Sequence, residues 1–477
     1  MTGPPSHELL GRLEARLGPK GFTRDPEIME PWLSDWRGRY RGSSAALLSP
    51  ADTDEVRAIV VLCAAQGSAL VPQGGNSSMA GGATPGAQGD ALLLSLRRMK
   101  RVRLLDPLEN LMVAEAGMTL SEVHDAALGA GRRFPLSLAA KGTATVGGLV
   151  STNAGGTQVL RHGTMRALVA GIEAVLPSGD LFDSLAGLKK DNRGYDIGQL
   201  LVGAEGTLGV VTAAALRLVP LASRAVAWAG VDDPTSALSL LRRLEAGPGA
   251  IESFELIPGS ALELVLRHIP GTRAPIAANC PWHVLIEAVG TEPAEELGSA
   301  LAEAAAGGLI GDATVAASEA QADALWRLRE SISEAERRDG PAAKHDISVP
   351  VAAMPRFVVE EALIVERRFP GARVIAFGHL GDGNIHFNVR APEGSDSASW
   401  LAGVGSEITR FVHDRVVAAG GSISAEHGIG QLKLDELVRT GDPVRLAAQR
   451  TIKDALDPLG IMNPGKLVPL ARDSGKT

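Results

Sequence analysis

The residues with the most chemical reach lie in FGHLGDGNIHFN, Phe377 to Asn388, and in SAEHG, Ser424 to Gly428. His379 and His386 are a helical interval apart. However, Gly381, Asp382, Gly383 and Asn384 between them are turn formers that a helix would not tolerate. The segment therefore reads as strand, tight turn, strand, with His386 and Asn388 on one face of the second strand and Phe387 and Val389 on the other. About forty residues on, SISAEHG reads as another short strand, in which the adjacent Glu426 and His427 point opposite ways and so serve different ends. Two imidazoles and a carboxylate are a common ligand set for a catalytic divalent metal, and His427 beside them has the chemistry of an acid or base. The plainer alternative makes both histidines ordinary sheet residues and gives Glu426 a turn-capping role, since this spacing matches no generic zinc motif.

A second constellation lies in ALWRLRESISEAERRDGPAAKHDISVPV. Arg329 and Ser333 are four apart and share a helix face, and in the strand KHDISV the residues Lys344, Asp346 and Ser348 share the face opposite Ile347 and Val349. Converging Arg, Ser and Lys make an anion site, because guanidinium grips a carboxylate as a fork and ammonium adds a point charge. Taken singly, each of the three is better read as part of a solvated helix face, and only together do they point to a site.

These groups must be positioned by a large chain. Its 477 residues suffice for two or three domains with full cores. A net charge of −8 and the lack of a basic run argue against a nucleic-acid partner, and two cysteines are too few for a disulfide framework. The N-terminal MTGPPSHELLGRLEARLG lacks a secretory pattern and no apolar run approaches the roughly 20 residues of a membrane helix, so the expected location is cytoplasmic, with no integral membrane part. The first half alternates strands and helices, with helices read at Ser6–Leu17, Asp52–Gln66 and Leu120–Leu128. Three loops of Gly, Ser, Thr and Asn punctuate it: VPQGGNSSMAGG, KGTATVGGLVSTNAGGTQVLRHG and EGTLG. Their backbone amides can approach phosphate closely, and the second is too rich in glycine for a stable helix. None is the GxGxxG of a Rossmann helix, and GIMNPGKL has Leu467 where a P-loop needs a hydroxyl. Beyond Pro220, strand–helix–strand units imply an α+β sandwich, with helices on one face of an antiparallel sheet and the other face open to a ligand.

The motifs PQGGNSSMAGG, KGTATVGGLVSTNAGG, KKDNRGYDIGQLLVGAEGTLG, GHLGDGNIHFNV, SAEHGIG and NPGK occur in that order over most of the chain. Together they resemble the FAD-linked 2-hydroxy acid dehydrogenases of the vanillyl-alcohol oxidase flavoprotein superfamily. Within that group, KKDN with GYD and the RESIS to KHDISVPV region look most like the D-2-hydroxyglutarate dehydrogenases. The resemblance implies an α+β fold with a two-part FAD-binding domain (1–221), a substrate and metal domain whose antiparallel sheet is covered by helices (222–455), and a C-terminal segment (456–477) returning to the first. It implies FAD on Pro72, Gly74, Gly75, Asn76, Ser77 and Ser78, with Gly142, Thr143, Gly148, Ser151, Asn153 and Gly155 lining the cofactor. Glu205, Gly209 and Val210 would hold its adenine side and Asn463 would close the site. It further implies a divalent metal, zinc first with manganese, cobalt or iron as alternatives, on His379, His386 and Glu426. Asn388 would lie beside the substrate, His427 would be the base, and Arg329, Ser333 and Lys344 would bind carboxylate.

Two departures stand out: Ser333 replaces the more usual Thr, and NSSMAGGA replaces the commoner NTGLVGG. No histidine stands where covalently flavinylated relatives carry one, His162 following a different motif, so dissociable FAD is expected. The implied reaction is oxidation of a D-2-hydroxy acid, D-2-hydroxyglutarate first, to the 2-oxo acid, with the hydroxyl proton taken by His427 and the C2 hydrogen passing to flavin. D-lactate or glycolate oxidation is the nearer alternative, and a non-catalytic flavin- or metal-binding protein the remoter one. With no cysteine cluster or haem motif to pass electrons onward, the acceptor is expected to be an electron-transfer flavoprotein or a quinone. A homodimer is compatible with all of this.

Overall fold

The computed structural model describes residues 3–247 and 249–469, so the last eight residues of the expected 456–477 segment lie outside the described residues. The chain folds into two compact units. One comprises Met1–Gly155, Gly163–Leu221 and His427–Thr477, the other Gly156–His162 and Ala222–Glu426.

In the first unit, the helix His7–Gly21 starts where the Ser6 side chain accepts from Leu9 N, and it buries Leu9, Leu10, Leu13 and Leu17. The helix Thr53–Gln66 is capped by Asp52 and stops at Gly67, whose φ of 64° only glycine adopts cheaply. This helix is the crossover between the strands Leu47–Leu48 and Ala69–Gln73, which flank Ala91–Ser95 in parallel within a four-stranded sheet. A separate five-stranded antiparallel sheet runs in the order Val102–Asp106, Leu111–Glu115, Val210–Arg217, Val169–Val175, Leu181–Asp183. The glycine-rich stretch does contain a short helix, Val146–Ser151, contrary to the sequence expectation. Packing overrides propensity here: Val146, Gly147, Leu149 and Val150 are buried, and a Cβ on Gly147 would lie 2.9 Å from that of Ala116.

The chain rejoins the first unit at His427, earlier than 456, because a buried carboxylate draws it in. The two Glu205 carboxylate oxygens accept from Ile429 N and Gly430 N, both at 2.7 Å. Further along, Leu70 N donates to Ile461 O and Asn463 N to Leu70 O, so the return segment runs beside the strand that leads into the first glycine loop.

The second unit is a seven-stranded sheet, all neighbours antiparallel. Its strands are β1 (Ser223–Val231), β2 (Ala250–Pro258), β3 (Trp282–Gly290), β4 (Asp312–Val315), β5 (Ala342–Ser348), β6 (Arg373–His379) and β7 (Asn384–Arg390). The spatial order is β4-β1-β3-β2-β6-β7-β5. Long ladders join β1 to β3 and β3 to β2, but β2 meets β6 through only two residue pairs, Glu255 with His379 and Leu256 with Gly378.

Its helices are α1 (Pro234–Glu245), α2 (Gly259–His268), α3 (Pro293–Ala306), α4 (Glu319–Glu330), α5 (Ile332–Asp339), α6 (Met354–Arg368) and α7 (Ser397–Ala418). The side chains of α1, α3, α6 and α7 pack on the face that carries Ala227, Phe254, Ile286 and Phe387. The expected open face is also partly covered: α2, α4 and α5 pack on Val226, Trp228, Ile257, Leu285 and Phe377. Those large apolar residues extend over the side of the sheet away from β5 and β7, which explains why helices settle there. The segment Gly156–His162 joins this unit through polar bonds to β2. Ser253 Oγ donates to Thr157 O at 2.6 Å, and His162 Nε2 lies 3.0 Å from Glu252 Oε1. SISAEHG is not a strand beyond a single bridge of Ser422 to Ser348, because Gly428 (φ 75°) and Gly430 (φ 53°) turn the chain.

Candidate active site

In the first unit the two glycine loops lie against each other. A Cβ on Gly75 would lie 1.6 Å from Thr143 O, and one on Gly74 would lie 2.3 Å from Thr145 Oγ1 and 3.6 Å from Gly148 Cα. Asn76, Asn153, Glu205 and Asn463 all have left-handed backbone, with φ between 43° and 53°. Side chains that permit this are held by short bonds: Asn76 Nδ2 donates to Ser34 O, Asn153 Oδ1 accepts from Arg166 N, and Asn463 Nδ2 donates to Gly82 O and Glu205 O. Strain of this kind gathers where a surrounding fold must aim backbone groups. Glu205 N donates to Ser151 O, so these two expected cofactor residues also meet. Glu205 itself is a tether, its carboxylate taken up by residues 429 and 430, and burial raises its pKa against the pull of those amides and of Lys433 and Lys466.

Val210 is core, 1 % exposed and paired with Val175, while a Cβ on Gly209 would lie 2.9 Å from Val175 O. Pro72, next to last in the strand Ala69–Gln73, lies against Gly206, Ser77 and Ser78 are half-buried, and Gly142 has open space around it. Buried Thr145 Oγ1, Gln73 Oε1 and Asn463 Oδ1 have no hydrogen-bond partner among the described residues. Close-approach glycines beside orphaned polar atoms fit a bound dinucleotide.

In the second unit, the ladder places His386 opposite Asp346 and Phe377, and Asn388 opposite Lys344. One atom each from His379, His386 and Glu426 lie within 4.8 Å of one another. His379 Nε2 is 3.6 Å from Glu426 Oε1, and its Nδ1 is 2.5 Å from Glu255 Oε1. The other Glu255 oxygen accepts from Arg329 Nε at 2.7 Å. Asp346 accepts from Asn384 Nδ2 and from Glu426 N, both at 3.0 Å, which fixes the backbone that carries Glu426.

Burial lowers the affinity of His379 for a proton, yet the Glu255 carboxylate outweighs it and lifts the pKa to about 9. Burial, with Asp346, Asp382 and Glu255 nearby, pushes Glu426 up to about 7 against the pull of His379. Burial would raise Glu255 too, but His379 and Arg329 hold it at about 2. A pocket with this surplus of carboxylates and two ring nitrogens fits a divalent cation, and the Glu255 bond is the outer support that a metal-binding imidazole normally has.

The anion trio is only partly assembled. Arg329, 9 % exposed on α4, is committed to Glu255, its guanidinium 4.8 Å from the Phe377 ring centre. Ser333 is exposed on α5, beyond a break at Ser331 that ends the continuous helix assumed from the sequence. Lys344 and Asn388 are brought together, and both reach Glu336: Asn388 Nδ2 donates to its Oε2 at 2.7 Å, and Lys344 Nζ is 3.7 Å from the same oxygen. His427 follows Glu426 directly and is half-buried.

Residues 44–184 match the family model described as FAD binding domain, and residues 221–467 match that of FAD linked oxidases, C-terminal domain. The chain belongs to the FAD-linked oxidase family. Among relatives of this FAD-linked oxidase, the mitochondrial D-2-hydroxyglutarate dehydrogenase of Bos taurus is 39% identical over 97% of this chain and 84% of its own. That of Arabidopsis thaliana is 37% identical over 95% and 80%. The D-2-hydroxyglutarate dehydrogenase of Xanthomonas citri pv. viticola is 38% identical over 93% of each chain. Substrate-bound p-cresol methylhydroxylase shares the fold, with a TM-score of 0.74 at 16% identity and 96% coverage of each chain. So does alkyldihydroxyacetonephosphate synthase, with a TM-score of 0.74 at 16% identity, covering 97% of this chain and 86% of its own.

The oxidase is thus an FAD-dependent dehydrogenase with the expected two-part cofactor domain and helix-covered antiparallel sheet. Among its described residues no helix is long and apolar enough to cross a membrane. Sequence reading missed Glu255 and Glu336. Glu255 falls in the strand–helix–strand units read beyond Pro220, and nothing local to it indicates that its partner is His379, 124 residues away.

Proposed function

We propose that this FAD-dependent enzyme oxidises a D-2-hydroxy acid, D-2-hydroxyglutarate first, to its 2-oxo acid. The reading rests on one observation above all: the His379, His386 and Glu426 cluster stands on the same sheet face as the Lys344 and Asn388 pair, so a 2-hydroxy acid can be held at both ends. When bound, FAD supplies the two-electron acceptor, and a divalent metal on His379, His386 and Glu426, zinc first, supplies a Lewis acid for the hydroxyl and its neighbouring carboxylate.

The chain supplies orientation and charge. Glu255 holds the Nδ1 side of His379 and so turns Nε2 towards Glu426. Asp346 anchors Glu426, Asn388 and Lys344 orient the substrate, and His427 takes the hydroxyl proton. Arg329 acts through Glu255 on His379, and Ser333 adds a hydroxyl at the rim of α5. FAD is held without a covalent bond by the loops at Pro72, Gly74, Gly75, Asn76, Ser77 and Ser78, by Gly142, Thr143, Gly148, Ser151, Asn153 and Gly155, and by Glu205, Gly209, Val210 and Asn463. Electrons leave to an electron-transfer flavoprotein or a quinone. A cytoplasmic location belongs to this reading, beside relatives whose names say mitochondrial. One observation favours D-lactate or glycolate as a second reading: Arg329 and Lys344 each already face a carboxylate of the chain.

Anaerobic titration of the bound flavin with a panel of D- and L-2-hydroxy acids tests the reading. Bleaching by D-acids supports it, and a flavin left oxidised by all of them refutes it. Metal analysis with stopped-flow reduction then separates roles. Glu426→Gln should lose metal, whereas His427→Ala should keep it and reduce flavin about 100- to 10,000-fold more slowly.

A further inference from the structure

Helix α5 lies over the sheet with Ile332 and Ala335 in the apolar layer, and the next residue, Glu336, is fully buried. One turn away on the helix stand Ile332 and Ser333 before it and Asp339 after it, and Asp339 is taken up by Arg390 and His268, which leaves Glu336 as the carboxylate turned to β5 and β7. Its Oε2 accepts from Asn388 Nδ2 at 2.7 Å and stands 3.7 Å from Lys344 Nζ. Its Oε1 is buried with no hydrogen-bond partner among the described residues. A buried carboxylate with one oxygen unmet is costly to keep.

The charges then balance in pairs. Lys344 faces Glu336 and Arg329 faces Glu255, so the two cations that a second substrate carboxylate would need are each countered within the chain. Burial raises the pKa of Glu336, while Lys344, Asn388 and Arg390 pull it back.

We propose that Glu336 is the specificity-determining residue for the distal end of the substrate: by countering Lys344 it weakens the hold on a second carboxylate, so that 2-hydroxy acids whose distal group is uncharged are admitted beside D-2-hydroxyglutarate. This rests on the reading of the site given above. An anion placed at Lys344 meets the like charge of Glu336 at short range, where such repulsion is poorly screened. A neutral distal group does not, and a hydrogen-bond donor on it would meet the orphaned Oε1.

The test is steady-state kinetics with D-2-hydroxyglutarate and D-lactate on wild type, Glu336→Gln, Lys344→Met and the double variant, with bound FAD measured by absorbance. Glu336→Gln keeps size and an acceptor oxygen while removing the charge. It should raise kcat/KM for D-2-hydroxyglutarate over that for D-lactate by about 10- to 100-fold, through KM of the dicarboxylate alone. Lys344→Met should raise KM for the dicarboxylate in both backgrounds, and by at least about tenfold more in the Glu336→Gln background than in wild type, a coupling that a merely structural role would not produce. A ratio within about threefold of wild type, with FAD content unchanged, overturns the proposal.

Should Glu336→Gln fail to fold, product binding to wild type decides. A preference for 2-oxoglutarate over pyruvate below about tenfold supports the proposal, and any larger one overturns it. If wild type oxidises both acids and the ratio does not move, only this proposal falls. If it oxidises neither, the reading of the site falls and this proposal falls with it.

Discussion

Replacing Glu255 with Gln exchanges one heavy atom, an oxygen for an amide nitrogen, and should disturb both the fold and the candidate metal cluster. The carboxylate is fully buried and accepts from His379 Nδ1 at 2.5 Å and from Arg329 Nε at 2.7 Å. A Gln amide offers one acceptor and turns a donor towards the second partner, so one of the two bonds is lost. The Arg329 charge is then buried without a counter-ion. Leaving one partner of a buried ion pair uncompensated costs about 3–5 kcal/mol. In a unit of this size each kcal/mol is worth about 2–4 °C of melting temperature, so Glu255→Gln should melt roughly 6–20 °C lower. The same change removes the group that orients His379, and such outer support is worth about 10- to 100-fold in metal affinity. Differential scanning calorimetry reads the first effect. Competition for zinc with a chelator of known affinity, followed by metal analysis, reads the second. A variant that melts within about 2 °C of wild type and competes for zinc equally well would refute the assignment of Glu255 as the shared support of Arg329 and His379.

Three further outcomes are expected. Gly75→Ala would drive a methyl group into Thr143 O, so the variant should lose FAD on gel filtration while wild type retains it; a fully flavinated alanine variant contradicts the packing of the two loops. Glu205→Ala removes two 2.7 Å charge-assisted bonds to the amides of Ile429 and Gly430 and should cost about 3–5 kcal/mol in urea unfolding, against less than about 1 kcal/mol if the tether is idle. His283, buried near Trp228, has its pKa pushed by burial down to about 4. The folded state thus binds this proton less readily than the unfolded chain, so the associated stability is whole above about pH 6.5 and is lost as pH falls through about 4. It amounts to about 3 kcal/mol that His283→Asn should make insensitive to acid, and parallel acid limbs in the two proteins would contradict it.

What the sequence disclosed and what it hid follow the range of the interactions. Local signals sufficed for the helices read from Ser6, Asp52 and Leu120, and for the strand–turn–strand that sets His379 and His386 on one sheet. Their spacing, a turn of glycines and alternation are all properties of a dozen residues. Glu255 and Glu336 were invisible because each acts through a partner that only sheet order supplies: β2 beside β6 for one, and for the other the pairing of β5 with β7 that sets Lys344 and Asn388 within reach of the Glu336 side chain. Ser333 was placed with Arg329 on the premise of one helix, which Ser331 interrupts. The helix Val146–Ser151 was missed because buried contact with Ala116 overrides the poor propensity of its two glycines. The second helical layer escaped notice since alternation reports that a strand face is apolar, not which helix covers it.

The narrow junction between β2 and β6 makes the seven strands two plates joined at a single seam. Within each plate the ladders are long, while across the seam the ladder is two residue pairs, Glu255 with His379 and Leu256 with Gly378, extended by one bond from Leu380 N to Phe254 O. The ion pair between the Glu255 and His379 side chains is therefore a rivet as well as an electrostatic device, closing the seam where the backbone does least. The imidazole that faces Glu426 stands on the line where the sheet has the shortest ladder, so the same side-chain pair that closes the seam also sets the aim of His379.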